Sequence, residues 1–194
     1  MSTEKADPGV ATAPRPDTPL AKVIAGLSRV IVFWALLGGL GACALALMTT
    51  YSAVSNLLFA APFSADYELM KHVIAVVIFM FLPYCQLVGA NVTVDIFTEG
   101  MSEAKKAAMG VFSSLFAIAF SLLLLRQMWL GMWSYVRYPE VTPVLQLPLW
   151  TAFPPILVSL GLLLIASLIT LIDGIRAARG RAPFTHHTPF QTAE

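Results

Sequence analysis

SADYELMKHVIAVVIFMFLPYCQLVGANVTVDIFTEG, residues Ser64 to Gly100, is the stretch that decides the fold. Between Lys71 and Asp95 it contains no Asp, Glu, Lys or Arg. A helix over that interval is ~35 Å long, enough to cross a hydrocarbon layer of ~30 Å. Polar groups crowd both ends: Asp66, Glu68, Lys71 and His72 before it, and Asn91, Thr93, Asp95 and Glu99 after it. Ser64 or Asp66 suits an N-cap, Glu68 suits the positive end of the helix, and Gly100 suits a C-terminal stop. Pro83 removes a backbone hydrogen bond in mid-span and is expected to kink the helix.

Composition extends this reading to the whole chain. The 194 residues are 58% hydrophobic and 12% charged, with a mean hydropathy of +0.77. A soluble domain carries about 25% charged residues. Unbroken apolar runs, rather than alternating segments of ~10 residues, point to helices and not to a barrel. The expected fold is an all-α membrane protein with four transmembrane helices. A net charge of +1 offers no general attraction to nucleic acid. Cys43 and Cys85 both fall in apolar spans and read as small buried hydrophobes.

Working outward, residues 1–21 are rich in Pro, Ala, Thr and Asp, cannot bury a core and are expected to form a disordered cytoplasmic N-terminal segment. The spans are expected at about 30–49, 67–91, 107–129 and 149–172, within a transmembrane domain of 22–175. Residues 176–194 form a polar tail. In the first span Ala35, Gly39 and Cys43 make one row of small residues, and Gly38, Ala42 and Ala46 another; such rows let helices approach closely. YSAVSNLLFAAPF (51–63), interrupted by Asn56 and Pro62, is expected to lie along the interface between helices 1 and 2. Ser102 is a suitable cap for the third helix, with Glu103 in its first turn. Arg126 lies ~30 Å along that helix from Lys106, which puts it at the far interface, within snorkelling reach. Trp129, Trp133, Tyr135 and Tyr138 follow as an aromatic belt. Pro148 suits the first turn of the fourth helix, with Pro154 and Pro155 bending its early part.

Orientation follows from Lys and Arg. Four spans put Lys5, Arg15, Lys22, Arg29, Lys105, Lys106, Arg176, Arg179 and Arg181 on one side, against Lys71, Arg126 and Arg137. Both termini are expected to be cytoplasmic.

Chemistry-bearing motifs are sparse. No phosphate-cradling loop, metal-ligand spacing or nucleophile–base pattern occurs in the sequence, and no cofactor is expected. Haem would call for histidines within the spans, whereas His72 sits at a helix end. A proton-coupled exporter would call for a carboxylate deep in a span, whereas Glu68, Asp95 and Asp173 lie at span ends. Asn91 and Asp95 share a helix face, as do Glu68 and His72, and each pair suits either interfacial water or a partner subunit.

The order of these features resembles the small membrane subunit of tripartite ATP-independent periplasmic (TRAP) transporters. APFSADYELM, with Phe63 and Glu68, matches the acidic opening of that family's second span; GANVTVDIF, with Asp95, matches its close. Thr142, Pro143, Leu145, Pro148 and Trp150 match the pattern TP-x-L-x-x-P-x-W before the last span. Asn56 stands where many relatives carry arginine, and Asn91 where histidine is frequent. The resemblance implies a multi-pass protein of the bacterial inner membrane, embedded in membrane lipid. It implies as partners a large TRAP membrane subunit and a periplasmic solute-binding protein, in sodium-coupled uptake of an organic acid or similar solute, with a scaffold role rather than an enzymatic one. Candidate subunit-interface residues are Gly38, Gly39, Ala42, Glu68, Asn91 and Asp95. Candidates for periplasmic docking are Trp133, Arg137, Tyr138 and Glu140. The alternatives are the membrane anchor of a redox complex, or a free-standing four-helix exporter or assembly factor.

Overall fold

The computed structural model describes residues 19–60, 64–88 and 103–178. Four helices account for most of them: α1 (Pro19–Phe59), α2 (Asp66–Val88), α3 (Glu103–Arg137) and α4 (Phe153–Ala178). A 3₁₀ turn, Leu149–Ala152, leads into α4. All four are long and apolar enough to cross a membrane, as expected.

The segment expected along the interface takes a different form. Tyr51–Phe59 continues α1, which runs unbroken for 41 residues, or ~60 Å. No Pro or Gly interrupts residues 42–61, and the Thr49 and Thr50 hydroxyls bond back to the carbonyls of Leu45 and Ala46 inside the helix. The helix ends where Ala60 turns left-handed, at φ 49°, with its N–H donating to the Asn56 carbonyl at 3.0 Å. Crossing length sets a minimum for a helix and gives no reason for it to stop.

Pro154 and Pro155 also act differently from expectation. They occupy the first turn of α4, where a missing N–H leaves no bond unmade, so they start the helix rather than bend it. Pro148 is the N-cap of the 3₁₀ turn. Pro83 lies inside α2 and is fully buried.

The helices pack in the order α1, α2, α4, α3, with α1 leaning lightly on α4. α4 is the inner element. Ile156, Leu160 and Leu163 pack between Val76, Phe79 and Leu82 of α2 and Leu124, Leu125 and Met128 of α3. A second cluster joins Ile24 and Ile31 of α1, Leu87 of α2, and Ala166 and Ile169 of α4. The first residues of α1 therefore lie at the same end as the last residues of α2 and α4; this is the Arg176 end, and the opposite one is the Glu68 end.

Candidate functional site

At the Glu68 end, the connection from α3 to α4 folds back on itself. Val141 and Pro148 pair as an isolated bridge. The Thr142 N–H donates to the Leu147 carbonyl, and the Gln146 N–H to the Thr142 carbonyl, each at 3.0 Å. Gln146 adopts a left-handed φ of 52° to close the turn.

This turn is fastened to α2 at two points. Glu68 accepts the backbone N–H of Val144 at 2.9 Å through Oε1 and that of Leu145 at 3.0 Å through Oε2. The Thr142 hydroxyl also bonds to Glu68, while its oxygen accepts the Leu147 N–H at 3.0 Å. One helical turn further on, His72 Nε2 lies 2.9 Å from Thr151 Oγ1. The Thr151 hydroxyl donates to the Pro148 carbonyl at 2.7 Å. A hydroxyl has one proton, so His72 Nε2–H is assigned as the donor to Thr151. Glu68 thus holds the tip of the connector, and His72 holds its return into α4.

Between α2 and the connector is a cleft of about 570 Å³, lined by Tyr67, Lys71, His72, Tyr135, Leu149 and Phe153 among others. Lys71 Nζ sits 4.3 Å from the centroid of the Tyr67 ring, a cation–π contact. Tyr135 and Phe153 meet at 5.4 Å between ring centroids. With both oxygens of Glu68 accepting N–H groups, this arrangement is built to hold a loop. Among the described residues no group of three or more His, Cys, Asp or Glu is placed to bind a metal ion.

Within the spans, polar side chains tie the helices together. Gln86 Nε2 of α2 donates to Thr170 Oγ1 of α4 at 3.2 Å, and Ser114 Oγ of α3 lies 3.3 Å from the same oxygen. Trp34 Nε1 of α1 donates to Ser159 Oγ of α4 at 2.9 Å. In hydrocarbon such bonds replace the water that is missing. Sequence reasoning passed over these residues; a buried primary amide at Gln86 in an otherwise apolar stretch was the available signal.

The expected interface residues separate. Gly38 faces α2 of the same chain: a Cβ there would stand 2.9 Å from Met80 Cβ. Gly41 would likewise meet Val77 Cγ2 at 3.1 Å. Gly39 and Ala42 are half-buried on α1. Glu68 is engaged inside the chain as described. Asn91 and Asp95 lie outside the described residues, as do Phe63, Ser102, Gly100 and most of the two terminal segments. Trp133, Arg137, Tyr138 and Glu140 are all exposed at the Glu68 end. Trp133 packs edge-on against Trp129, with 6.1 Å between ring centroids.

The family model described as tripartite ATP-independent periplasmic transporters, DctQ component, matches residues 45–177, over two thirds of the chain. A search of curated proteins and a search of solved structures each returned no match. The match takes in the second and third helices whole and the fourth up to residue 177, together with the pinned connector and its TP-x-L-x-x-P-x-W pattern. The chain therefore belongs to the DctQ component family and is a small membrane subunit of a tripartite ATP-independent periplasmic transporter.

Proposed function

We propose that this subunit is a scaffold: it braces a large permease subunit in the bacterial inner membrane and carries no solute itself. The system imports an organic acid or similar solute, delivered by a periplasmic binding protein and driven by sodium. Both termini face the cytoplasm, and the Glu68 end faces the periplasm. The observation that carries this reading is the use made of polar groups: Glu68, His72, Gln86, Thr170 and Ser159 each bond within the chain. What α1 and α3 turn outward is mostly apolar, including Phe33, Leu36, Leu40, Phe112, Phe116 and Leu123. That pattern suits bracing and lipid contact better than solute selection.

Trp133, Arg137, Tyr138 and Glu140 are proposed to meet the binding protein, because they are exposed at the end that carries the pinned connector. Asn91 and Asp95 are proposed to lie toward the large subunit.

Proteoliposomes test the reading. The subunit alone should show no solute flux, whereas the subunit, its large partner and the loaded binding protein together should show sodium-dependent uptake. Flux through the subunit alone would overturn it.

A further inference from the structure

Arg126 is exposed on α3 and makes no hydrogen bond or ion pair among the described residues. Its depth can be read from contacts between α3 and α4. The Gly110–Gly174 approach, the Ser114–Thr170 contact and the Gly131–Phe153 contact share a single antiparallel register. That register puts Arg126 level with Val158 of α4. Val158 lies seven residues from Thr151, the partner of His72, and fifteen from Asp173. At the usual rise these intervals are ~10 Å and ~22 Å. The Arg126 backbone therefore stands inward of the polar contacts at both ends of the bundle. The sequence count started from Lys106, which the same register sets level with Ala178, beyond Arg176; that offset is the origin of the interfacial assignment.

Two features argue against a lipid phosphate as its partner. The His72–Thr151 contact at the Glu68 end lies ~10 Å along the helix from the level of Arg126, a long reach for one side chain. The Cα–Cβ bonds of a helix also tilt toward its N-terminus. The N-terminus of α3 is at the Arg176 end, so Arg126 sets off toward the middle of the layer and away from the nearer margin. Its surroundings are Leu122, Leu123, Trp129 and Leu130, all exposed. Only 11% of the apolar window of α3 is buried, the least of the four helices. A cation at this depth calls for an opposite charge brought by a neighbouring protein.

We propose that the outer face of α3 around Arg126 is where the large membrane subunit seats, and that it brings an intramembrane carboxylate to the guanidinium. This rests on the scaffold reading above.

The test co-expresses the full chain with its large subunit. A photo-crosslinker at Leu123 or Leu130 should capture the large subunit, whereas one at Leu47, exposed on α1, should capture at least tenfold less. Arg126→Glu should lower co-purification of the large subunit at least tenfold, Arg126→Lys should retain most of it, and an acid-to-arginine change in the large subunit should restore the pairing with Arg126→Glu. The crosslinks use an intact Arg126, so they stand even where a charge variant inserts poorly. Undiminished co-purification of Arg126→Leu and Arg126→Glu, or crosslinks confined to α1, would overturn the proposal. So would native mass spectrometry showing that Arg126→Leu loses a bound anionic phospholipid while keeping the large subunit. Failure of the wild-type chain to co-purify with any large subunit would instead sink the scaffold reading on which the proposal stands.

Discussion

Glu68 accepts the backbone N–H of Leu145, 77 residues further along the chain, at 3.0 Å, and so fastens the α3–α4 connector to the first turn of α2. The neighbouring Val144 N–H goes to the other carboxylate oxygen. The acid that opens the second span and the Pro-rich pattern before the fourth are therefore two halves of one contact. Replacing Glu68 with Gln sets an amide NH₂ against one of the two backbone donors, and Ala removes both acceptors. Hydrogen exchange at Val144 and Leu145 should accelerate by about tenfold or more in Glu68→Ala, with Gln intermediate. Unchanged exchange at both amides would remove the contact from consideration.

Gly38 is predicted to tolerate no side chain larger than hydrogen without movement, since a Cβ there meets Met80 Cβ at 2.9 Å. Gly38→Leu should destabilise the packing of α1 on α2 by ~1–3 kcal/mol, the usual cost of overpacking. Gly26, with nothing within 4 Å of its virtual Cβ, is the internal control, and Gly26→Ala should cost nothing. Thermal unfolding in one detergent measures both.

Thr170 gathers contacts from α2 and α3 on one hydroxyl. Thr170→Val keeps the shape and removes the oxygen that Gln86 Nε2 and Ser114 Oγ both approach. The expected loss is ~0.5–1.5 kcal/mol, the scale measured for hydrogen bonds between helices in membranes. Unfolding in mixed micelles would show it, and a variant as stable as the parent would mean that these distances carry no net energy.

Trp34→Phe should loosen α1 at its side-chain hydrogen bond to α4, the donation to Ser159. A loss of ~0.5–1 kcal/mol is expected by the same scale. Because α1 otherwise leans on α4 only lightly, crosslinking between cysteines placed at the α1–α4 contact should fall while that between α1 and α2 is kept.

Arg137→Ala combined with Glu140→Ala should weaken docking of the binding protein by several-fold and lower uptake at limiting binding-protein concentration. Both side chains are exposed rim groups, for which effects of this size and an on-rate origin are usual. Docking affinity and uptake equal to wild type would remove these two residues from the docking surface.

Much of the fold was legible because burial in lipid is a local demand. Each span announces itself by its own run of apolar residues, and Glu68, His72, Arg137 and Asp173 stand near span ends as hydropathy requires. The extent of α1 was not legible, since nothing in Tyr51–Phe59 marks where a helix leaves the bilayer. At Gly38 a helix does come close, and it is α2 of the same chain. Gln86, Thr170 and Ser114 could be seen as polar; that they converge could not.

Composition and the lengths of its apolar runs thus determined that this chain lives in a membrane, crosses it with four helices and carries its polar groups chiefly at their ends. Those properties follow from the transfer of each segment out of water, one segment at a time. Only the tertiary structure decided that α4 lies between α2 and α3, that Glu68 grips a loop 76 and 77 residues away, and that Arg126 stands level with Val158 of α4. Neighbour order and helix register are set by which side-chain shapes fit together across helices, and that fit is not written in the local pattern of any one of them.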